Sequence, residues 1–497
     1  MKRYLSTALL LHAFMTYGAF AQDSYDAARF ASSDLNGTAR YVGMGGALGA
    51  LGGDISVMST NPAGTGLFRS NEAMISLGLL WADDGVLGKH SVRPSIDNIG
   101  LIISSRIATE GQKGLKYINY GVNYTKRANY FSNLNCSVDN LNGVFSQTNQ
   151  IANLANTCYD GNFESWGLLA DMSAPMFDED GNLVHGGIIN EDESGYYGVG
   201  AEQAEYRRAT YGSNIQCDFN ISMNVSDQFF FGLALGVYNI DYNRESLYGE
   251  IGTDGNYYSL SNWYQTTGDG IDVKFGFICR PIADSPFRFG INIHTPIWYS
   301  LRDQNGAYLS SNGNYISSGD GGVFDYSYRT PWVFGLSVGH TIGTNFAIGA
   351  EYEYSDYSTS KYTTDDGYED AYFRQINDNT KRFLQGVSTF KIGMEYKPID
   401  AFSVRLGYNY VSAPMKSDSY RIIAADSPFT ETDFTNWKAI NRITFGFGYR
   451  YKVGYIDFAY QYSAQKGDFY AFDEVNLKPT EISNNRSQFM CTLGFKF

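Results

Sequence analysis

The stretch NIQCDFNISMNVSDQFFFGLALGV, residues 214–237, alternates with period two. Ile215, Cys217, Phe219, Ile221, Met223 and Val225 are apolar, and Asn214, Gln216, Asp218, Asn220, Ser222 and Asn224 between them are polar. Successive side chains of a strand point to opposite faces, so this stretch specifies a ribbon with one apolar face and one wet face. Ser226-Asp227-Gln228 turns the chain, and Phe229, Phe231, Leu233, Leu235 and Val237 resume the apolar phase. The pattern predicts a hairpin with a tight turn.

The same grammar recurs along the chain. Ile271, Val273, Phe275 and Phe277 turn through residues 281–286 into Phe287, Phe289, Ile291 and Ile293. Trp332, Phe334, Leu336 and Val338 turn at Gly343-Thr344-Asn345 into Phe346, Ile348 and Ala350. Phe390, Ile392 and Met394 turn at residues 398–401 into Phe402, Val404 and Leu406, and Ile443, Phe445 and Phe447 turn at residues 452–454 into Ile456 and Phe458. With less regular strands near 72–82, 96–107 and 114–127 and a last one at 484–497, about fourteen strands are expected. Tight turns alternate with long polar loops, such as 303–322, 355–381, 411–435 and 464–484. Short turns at one end and long loops at the other are the signature of a bacterial outer-membrane barrel.

A soluble β-sandwich also alternates, but it buries its apolar faces and shows no systematic asymmetry of loops. Here the apolar phase is almost unbroken, while the other phase carries Asp218, Lys274, Arg288, Glu351, Lys391, Glu395, Arg405 and Arg442. Polar inside and apolar outside is what a closed barrel in lipid requires. Tyrosines near strand ends, among them Tyr354, Tyr408, Tyr449, Tyr451, Tyr460 and Tyr462, supply an interfacial girdle. The expected fold is all-β, a transmembrane antiparallel barrel.

Composition agrees. The chain has 497 residues, a formal net charge of −15, 43% apolar residues, 40 Tyr and 33 Phe. This is too apolar and aromatic for disorder, and the acidic balance excludes a nucleic-acid surface, which needs clustered Lys and Arg. Residues 1–21 read as a secretory leader: Lys2 and Arg3, an apolar run at 9–14, and the small-x-small site Ala19-Phe20-Ala21. The mature chain is expected to start at Gln22, and no Cys follows the site to carry a lipid. Beyond the leader no stretch approaches the ~20 apolar residues of a spanning helix. The cysteines at 136, 158, 217, 279 and 491 have no zinc-binding spacing. Three of them fall in the apolar strand phase, and Cys136 and Cys158 share one long loop, where pairing is left open.

The inward phase is repeatedly glycine or alanine near the short turns: Gly232, Ala234, Gly236, Gly276, Gly290, Gly335, Gly339, Gly349, Gly393, Gly407, Gly446 and Gly448. Glycine in a strand marks a bend or the close approach of another backbone. Some of these relieve barrel curvature, but a ring of them leaves a hollow. The unassigned segment that fits it is residues 22–71, which includes VGMGGALGALGG and STNPAGTGLF. The expected organisation is therefore a leader (1–21), an N-terminal luminal plug (22–71) and an outer-membrane barrel with long extracellular loops (72–497).

An N-terminal plug bearing Asn-Pro-Ala before a fourteen-stranded barrel resembles the FadL/TodX (OMPP1) family of outer-membrane transporters of hydrophobic compounds, in a glycine-rich form similar to members from Bacteroidota. The residues that carry the resemblance are SSDLNGTARYVGMGGALGALGGDISVMSTNPAGTGLF, especially Gly45, Gly46, Asp54, Asn61, Pro62, Ala63 and Gly64. The resemblance implies uptake of fatty acids or aromatic hydrocarbons through an apolar pocket, rearrangement of the plug, and sideways exit through the wall at a kinked third strand. It makes those seven residues the gate and Gly121 or Asn123 the candidate kink. Leu51, Ile55, Met58, Leu67 and Phe68 are candidates to line the pocket, and Arg40 to meet a ligand carboxylate, unless it pairs with an acid of the wall. The loop 128–207 departs from the family's emphasis on later loops. The terminal QFMCTLGFKF, ending on Phe495 and Phe497, resembles the signal read by the barrel assembly machinery.

Partners implied are a hydrophobic small molecule, outer-membrane lipid with lipopolysaccharide, and the assembly machinery; a monomer is expected, with no cofactor and no enzymatic activity. GMGGALG is not a dinucleotide fingerprint, because Leu48 stands where the third glycine belongs and no βαβ unit surrounds it. His294 lies in the inward phase, but one isolated His is more often hydrogen-bonded than a ligand to haem or metal. The loops FDEDGN and TTDDGYED read as solvated acidic turns. A structural or adhesive surface barrel and a general porin are the competing readings.

Overall fold

In the computed structural model the hairpin at 214–237 forms as its alternation requires. Val225 pairs with Phe229 across the turn, and Ser226 and Asp227 take φ of 58° and 57°, the left-handed pair that tight hairpins favour. Asn224 locks it, its side chain accepting from the Asp227 N–H at 2.9 Å. The structure describes residues 22–82, 91–108, 113–138, 141–157, 176–177, 183–185, 189–192, 195–282, 285–312, 314–422, 431–474 and 476–497. The leader, Cys158 and residues 178–182 of FDEDGN lie outside them.

Fourteen antiparallel strands close into a barrel. They are β1 (Glu72–Ala82), β2 (Ser91–Arg106), β3 (Leu115–Asn129), β4 (Ala201–Val225), β5 (Phe229–Gly252), β6 (Tyr257–Cys279), β7 (Arg288–His294, resuming as Trp298–Ser311), β8 (Asn314–Arg329, resuming as Val333–Ile342), β9 (Phe346–Asp356), β10 (Gly386–Ile399), β11 (Phe402–Val411), β12 (Phe434–Tyr451), β13 (Gly454–Tyr470) and β14 (Arg486–Lys496). Pairing of β1 with β14, from Glu72↔Lys496 to Ala82↔Arg486, closes the ring. Strands β7 and β8 are each interrupted at a proline, Pro296 and Pro331, which has no N–H for the ladder. The break is bridged by Thr330, whose hydroxyl accepts from the Ile297 N–H at 2.8 Å.

A tilted strand crosses a bilayer with about 9–11 residues. Strand β1 has 11, whereas β4, β5 and β6 have 25, 24 and 23, so the wall rises far beyond the membrane on the long-loop side. The expectation of a loop at 303–322 is corrected here: Trp298–Ser311 and Asn314–Arg329 run through it as a tall hairpin. Above the membrane the outer face meets water, so the outward apolar phase disappears while the pairing persists, and the inner face packs Leu301 and Leu309 into buried clusters. The segment 355–381 carries a helix, Ala371–Phe383, capped by Asp370. On the outer surface Phe219, Leu233, Phe275, Leu336, Phe390, Leu406, Phe445 and Leu493 are exposed in one continuous phase. Such a belt is stable only against lipid tails. The opposite phase is buried and polar, with Asp218, Lys274, Glu351, Lys391, Glu395, Arg405 and Thr444 among it.

Residues 22–71 lie against this inner face. Helix α1 (Ser24–Ala31) is capped by Asp23, α2 (Ala39–Gly43) by Thr38, and two 3-10 turns, Ile55–Ser59 and Pro62–Leu67, by Asp54 and Asn61. Their seat is a trench of glycines aligned across strands: Gly339↔Gly349, Gly349↔Gly393 and Gly393↔Gly407 are register partners on β8 to β11. A Cβ on Gly349 would overlap the Ala47 carbonyl, one on Gly393 the Met44 carbonyl, and one on Gly407 the Gly45 nitrogen. A second pair of register partners, Gly232 and Gly276, receives the backbone of Pro62 and Ala63. Other inward glycines serve the wall itself, Gly335 making room for the Asn292 side chain and Gly448 for Asp457.

A Gly407→Val side chain would meet the backbone of Met44 and Gly45, which no rotamer can relieve. We expect a cost of about 1–3 kcal/mol, read as protease cleavage between residues 44 and 53 in a barrel that still closes. Gly454→Ala, whose Cβ would have its nearest neighbour at 3.8 Å, is expected to leave cleavage unchanged.

Candidate functional site

The Asn61-Pro62-Ala63 turn forms because Asn61 accepts from the Ala63 N–H at 3.2 Å and Pro62 occupies the first helical position. Thr65 extends the anchorage: its hydroxyl lies 2.7 Å from Asn220 Oδ1 and 2.8 Å from Ser222 Oγ, and its carbonyl accepts from Asn119 at 2.7 Å. Ser59 donates to Asp218 at 2.7 Å. His294 is hydrogen-bonded to the Thr60 carbonyl at 2.6 Å, so it ties this segment to β7. Among the described residues no group of three or more His, Cys, Asp or Glu is placed to hold a metal.

Gly45 and Gly46 adopt φ of 63° and 81°, and Gly45 also abuts the Tyr408 backbone, so two independent constraints demand glycine there. Asp54 accepts from the Ser56 N–H at 3.0 Å and from the Thr38 hydroxyl at 2.8 Å. Burial pushes its carboxyl above the usual range, against the pull of Arg40, Ser56 and Thr38. Arg40 bridges the segment to the wall: it meets Glu395 at 3.1 Å, donates to the Gly53 carbonyl at 2.8 Å and lies 4.0 Å from Asp54. Glu395 and Asp457 in turn hold Arg405, at 2.7 and 2.6 Å. Gly64 accepts from the Gly53 N–H at 3.1 Å and packs on Val57.

None of the candidate pocket residues is among those lining the cavity described below. Leu51 fills the space over Gly339 and Gly349, Ile55 over Gly100, and Met58 over Gly121. Leu67 packs beside Gly52, and Phe68 clusters with Ile55, Met58, Met74 and Ile102. The apolar side chains of the segment are consumed in seating it. The guanidinium of Arg40 is engaged by Glu395.

The candidate kink residues sit in regular pairing. Gly121 and Asn123 are in continuous register with β2 on one side, opposite Ile102 and Gly100, and with β4 on the other, opposite Asn220 and Asp218. Gly121 is glycine to admit Met58. The wall parts a few residues further on. Residues 98–106 of β2 pair with residues 117–125 of β3, and above that point β2 pairs only with β1, while β3 slips register against β4 between Lys126 and Ala128.

At this fork lies a cavity of about 390 Å³. Its floor is the N-terminal segment, from Tyr25 to Tyr41 with Ser56, Ser59 and Thr60. Tyr130, Tyr242, Tyr357, Phe434 and Trp437 give it aromatic surface. Nine Lys or Arg side chains line it against three carboxylates, Asp34, Glu353 and Asp433. Five of the nine are held in ion pairs with acids of the lumen, for example Arg244 with Asp433 at 2.7 Å and Lys391 with Glu353 at 2.7 Å. Arg442 and Arg486 share one carboxylate, Asp34, at 3.8 and 3.9 Å. Arg127 donates to the Ala31 carbonyl at 2.9 Å and lies over the Tyr238 ring. Of these cations only Lys391 and Arg442 were singled out from sequence, by their inward strand phase.

No family profile and no curated protein matches the sequence. Similar solved structures include a Pseudomonas aeruginosa FadL homologue, 12% identical with a TM-score of 0.52 over 94% of this chain and 100% of that one. The CymD monoaromatic hydrocarbon channel is 12% identical, with a TM-score of 0.50 over 94% and 98%. The Pseudomonas putida toluene transporter TodX is 11% identical, with a TM-score of 0.50 over 93% and 99%. At such identity the likeness is one of fold. Together with the lipid-facing belt, it makes this chain a Gram-negative outer-membrane β-barrel of the FadL-like architecture.

Proposed function

We propose that this chain is an outer-membrane uptake channel for hydrophobic small molecules that carry an acidic group, long-chain fatty acids being the chemical type. The observation that carries the reading is the cavity at the fork, with aromatic surface and an excess of cations, two of which share a single carboxylate. Lipopolysaccharide bars apolar solutes from the outer leaflet, and a pocket of about 300–1,000 Å³ with a few polar anchors suits such a ligand. The likeness in fold to hydrocarbon channels supports the hydrophobic half of the reading. In this scheme residues 22–71 are the plug, residues 72–497 the barrel, and the ligand leaves sideways between β2 and β3 once the plug shifts. Phe495 and Phe497, exposed at the end of β14, serve as the assembly signal.

Binding of oleate and of toluene to the purified protein in nanodiscs tests the ligand class. Arg442→Met with Arg486→Met is expected to weaken oleate by about tenfold or more while leaving toluene unaffected, because only the acid uses the charge-assisted contacts. Equal loss for both ligands, or none for oleate, would overturn the acidic-ligand reading.

Plug movement has its own test. Thr65 Oγ1 and Ser222 Oγ are 2.8 Å apart, close enough for a disulfide after Thr65→Cys with Ser222→Cys. The oxidised protein is expected to bind and deliver oleate as the reduced protein does, because this turn is the anchored part of the plug. Delivery lost on oxidation and restored by reductant would show that the turn itself must move, and a barrel adhesive in role would show no delivery in either state.

A further inference from the structure

Where β2 parts from β3, the edge of β3 is not left bare. The Asp34 N–H donates to the Arg127 carbonyl at 2.8 Å, and the Asp34 carboxylate accepts from the Asn129 N–H at 2.9 Å. Asn36 donates to the Lys126 carbonyl at 3.0 Å and to Asp97 of β2 at 3.3 Å, so one side chain spans both arms of the fork. Residues 34–36 thus stand in for the missing strand pairing. An edge of unpaired backbone facing the membrane is costly, so this substitution closes the wall.

The same Asp34 carboxylate is the one shared by Arg442 and Arg486. Its two ion pairs are long, and Arg486 is also bound to the Asn129 carbonyl at 3.1 Å. Asp34 itself is a third exposed toward the cavity. A carboxylate on two arginines at the edge of an aromatic cavity has the chemistry of an amphipathic acid's head group.

We propose that Asp34 is a built-in stand-in for the ligand's acid, and that a bound ligand opens the fork by taking Asp34's place on Arg442 and Arg486. The proposal rests on the uptake reading above. Once displaced, Asp34 no longer accepts from Asn129, and residues 34–36 release the β3 edge beside the ligand. Ligand identity and gate opening are then one event: a neutral molecule of equal length fills the cavity without freeing Asp34, since it offers the arginines no competing charge. The latch is selective because its state depends on which carboxylate the two arginines hold.

The test uses the full chain in nanodiscs, with oleate and oleyl alcohol as probes and hydrogen exchange of residues 126–131 as the readout. In the unaltered protein, oleate is expected to speed exchange of the Asn129 amide and oleyl alcohol to leave it slow. Asp34→Ala is expected to exchange fast without any probe and to bind oleate about tenfold tighter, with oleyl alcohol unchanged. Asn36→Ala keeps the Asp34 charge; it should speed exchange while leaving oleate affinity as it was. If oleate binds the unaltered protein and Arg442→Met weakens it, yet Asp34→Ala changes neither exchange nor affinity, the latch is wrong and the uptake reading stands. If oleate does not bind the unaltered protein, the uptake reading fails and the latch fails with it.

Discussion

The structure depends on backbone meeting backbone inside the barrel. Segment 22–71 has few regular hydrogen bonds of its own, and a lumen surrounded by lipid offers little water to replace them. Its polar groups must reach the wall, and a wall of side chains would hold it too far away. Aligned glycines at 339, 349, 393 and 407 remove that spacing over four adjacent strands at once. Each glycine gives up about 0.5–1 kcal/mol of strand stability relative to alanine, and the wall offsets this with its complete inter-strand ladder. The segment answers in kind, placing its own left-handed Gly45 where the two backbones touch.

Charge then divides the lumen into two regions with different work. Toward the short turns, cations are closed into compact networks: Lys274 with Asp218 and Asp272 at 2.8 and 2.7 Å, and Arg405 with Glu395 and Asp457. Such buried pairs fix one arrangement, because removing a single partner strands a charge. At the fork the balance is different. Cations outnumber acids along the cavity, and the pairs to Asp34, at 3.8 and 3.9 Å, are longer than the Lys274–Asp218 pair at 2.8 Å. A site meant to exchange one anion for another has to be built this loosely; a tight pair would exclude the ligand as firmly as it held the protein.

Sequence periodicity made the barrel legible because the membrane imposes it: one face must be apolar over the same ten or so residues of every strand. The tall hairpin at 303–322 was illegible for the same reason. Above the bilayer nothing demands an apolar phase, so Asn305, Gly306, Ser310 and Ser311 form strand while reading as loop. Glycine misled in one place and informed in others. At Gly393 and Gly407 its inward phase pointed to a filled lumen, whereas at Gly121, which resemblance alone offered as a kink, the missing side chain is the space for Met58. The cavity was hidden because its cations come from strands distant in sequence, Arg127, Arg442 and Arg486, and an inward Arg in a polar barrel has no distinguishing pattern until the fold brings two of them onto one acid. The apolar residues that resemblance suggested for the pocket are spent on packing.

Firm and loose attachment of the same segment settles which part of it can move. From Arg40 to Leu67 it is held by overlapping glycine contacts, the Asp54 and Asn61 caps and the Thr65 and Arg40 anchors. Residues 34–36 are held by a handful of hydrogen bonds and two long ion pairs, at the one place where the wall lacks its own pairing. Local opening starts where few buried apolar contacts and few hydrogen bonds oppose it. Motion that began at the Asn-Pro-Ala turn would have to break the Gly232 and Gly276 seat and the Asn220, Ser222 and Asn119 contacts together. Motion that begins at Asp34 breaks one shared carboxylate and exposes the cavity directly to the parting of β2 and β3. The irregular Asn-Pro-Ala turn is therefore the anchor of the segment, and the latch proposed at Asp34 lies about thirty residues upstream of it.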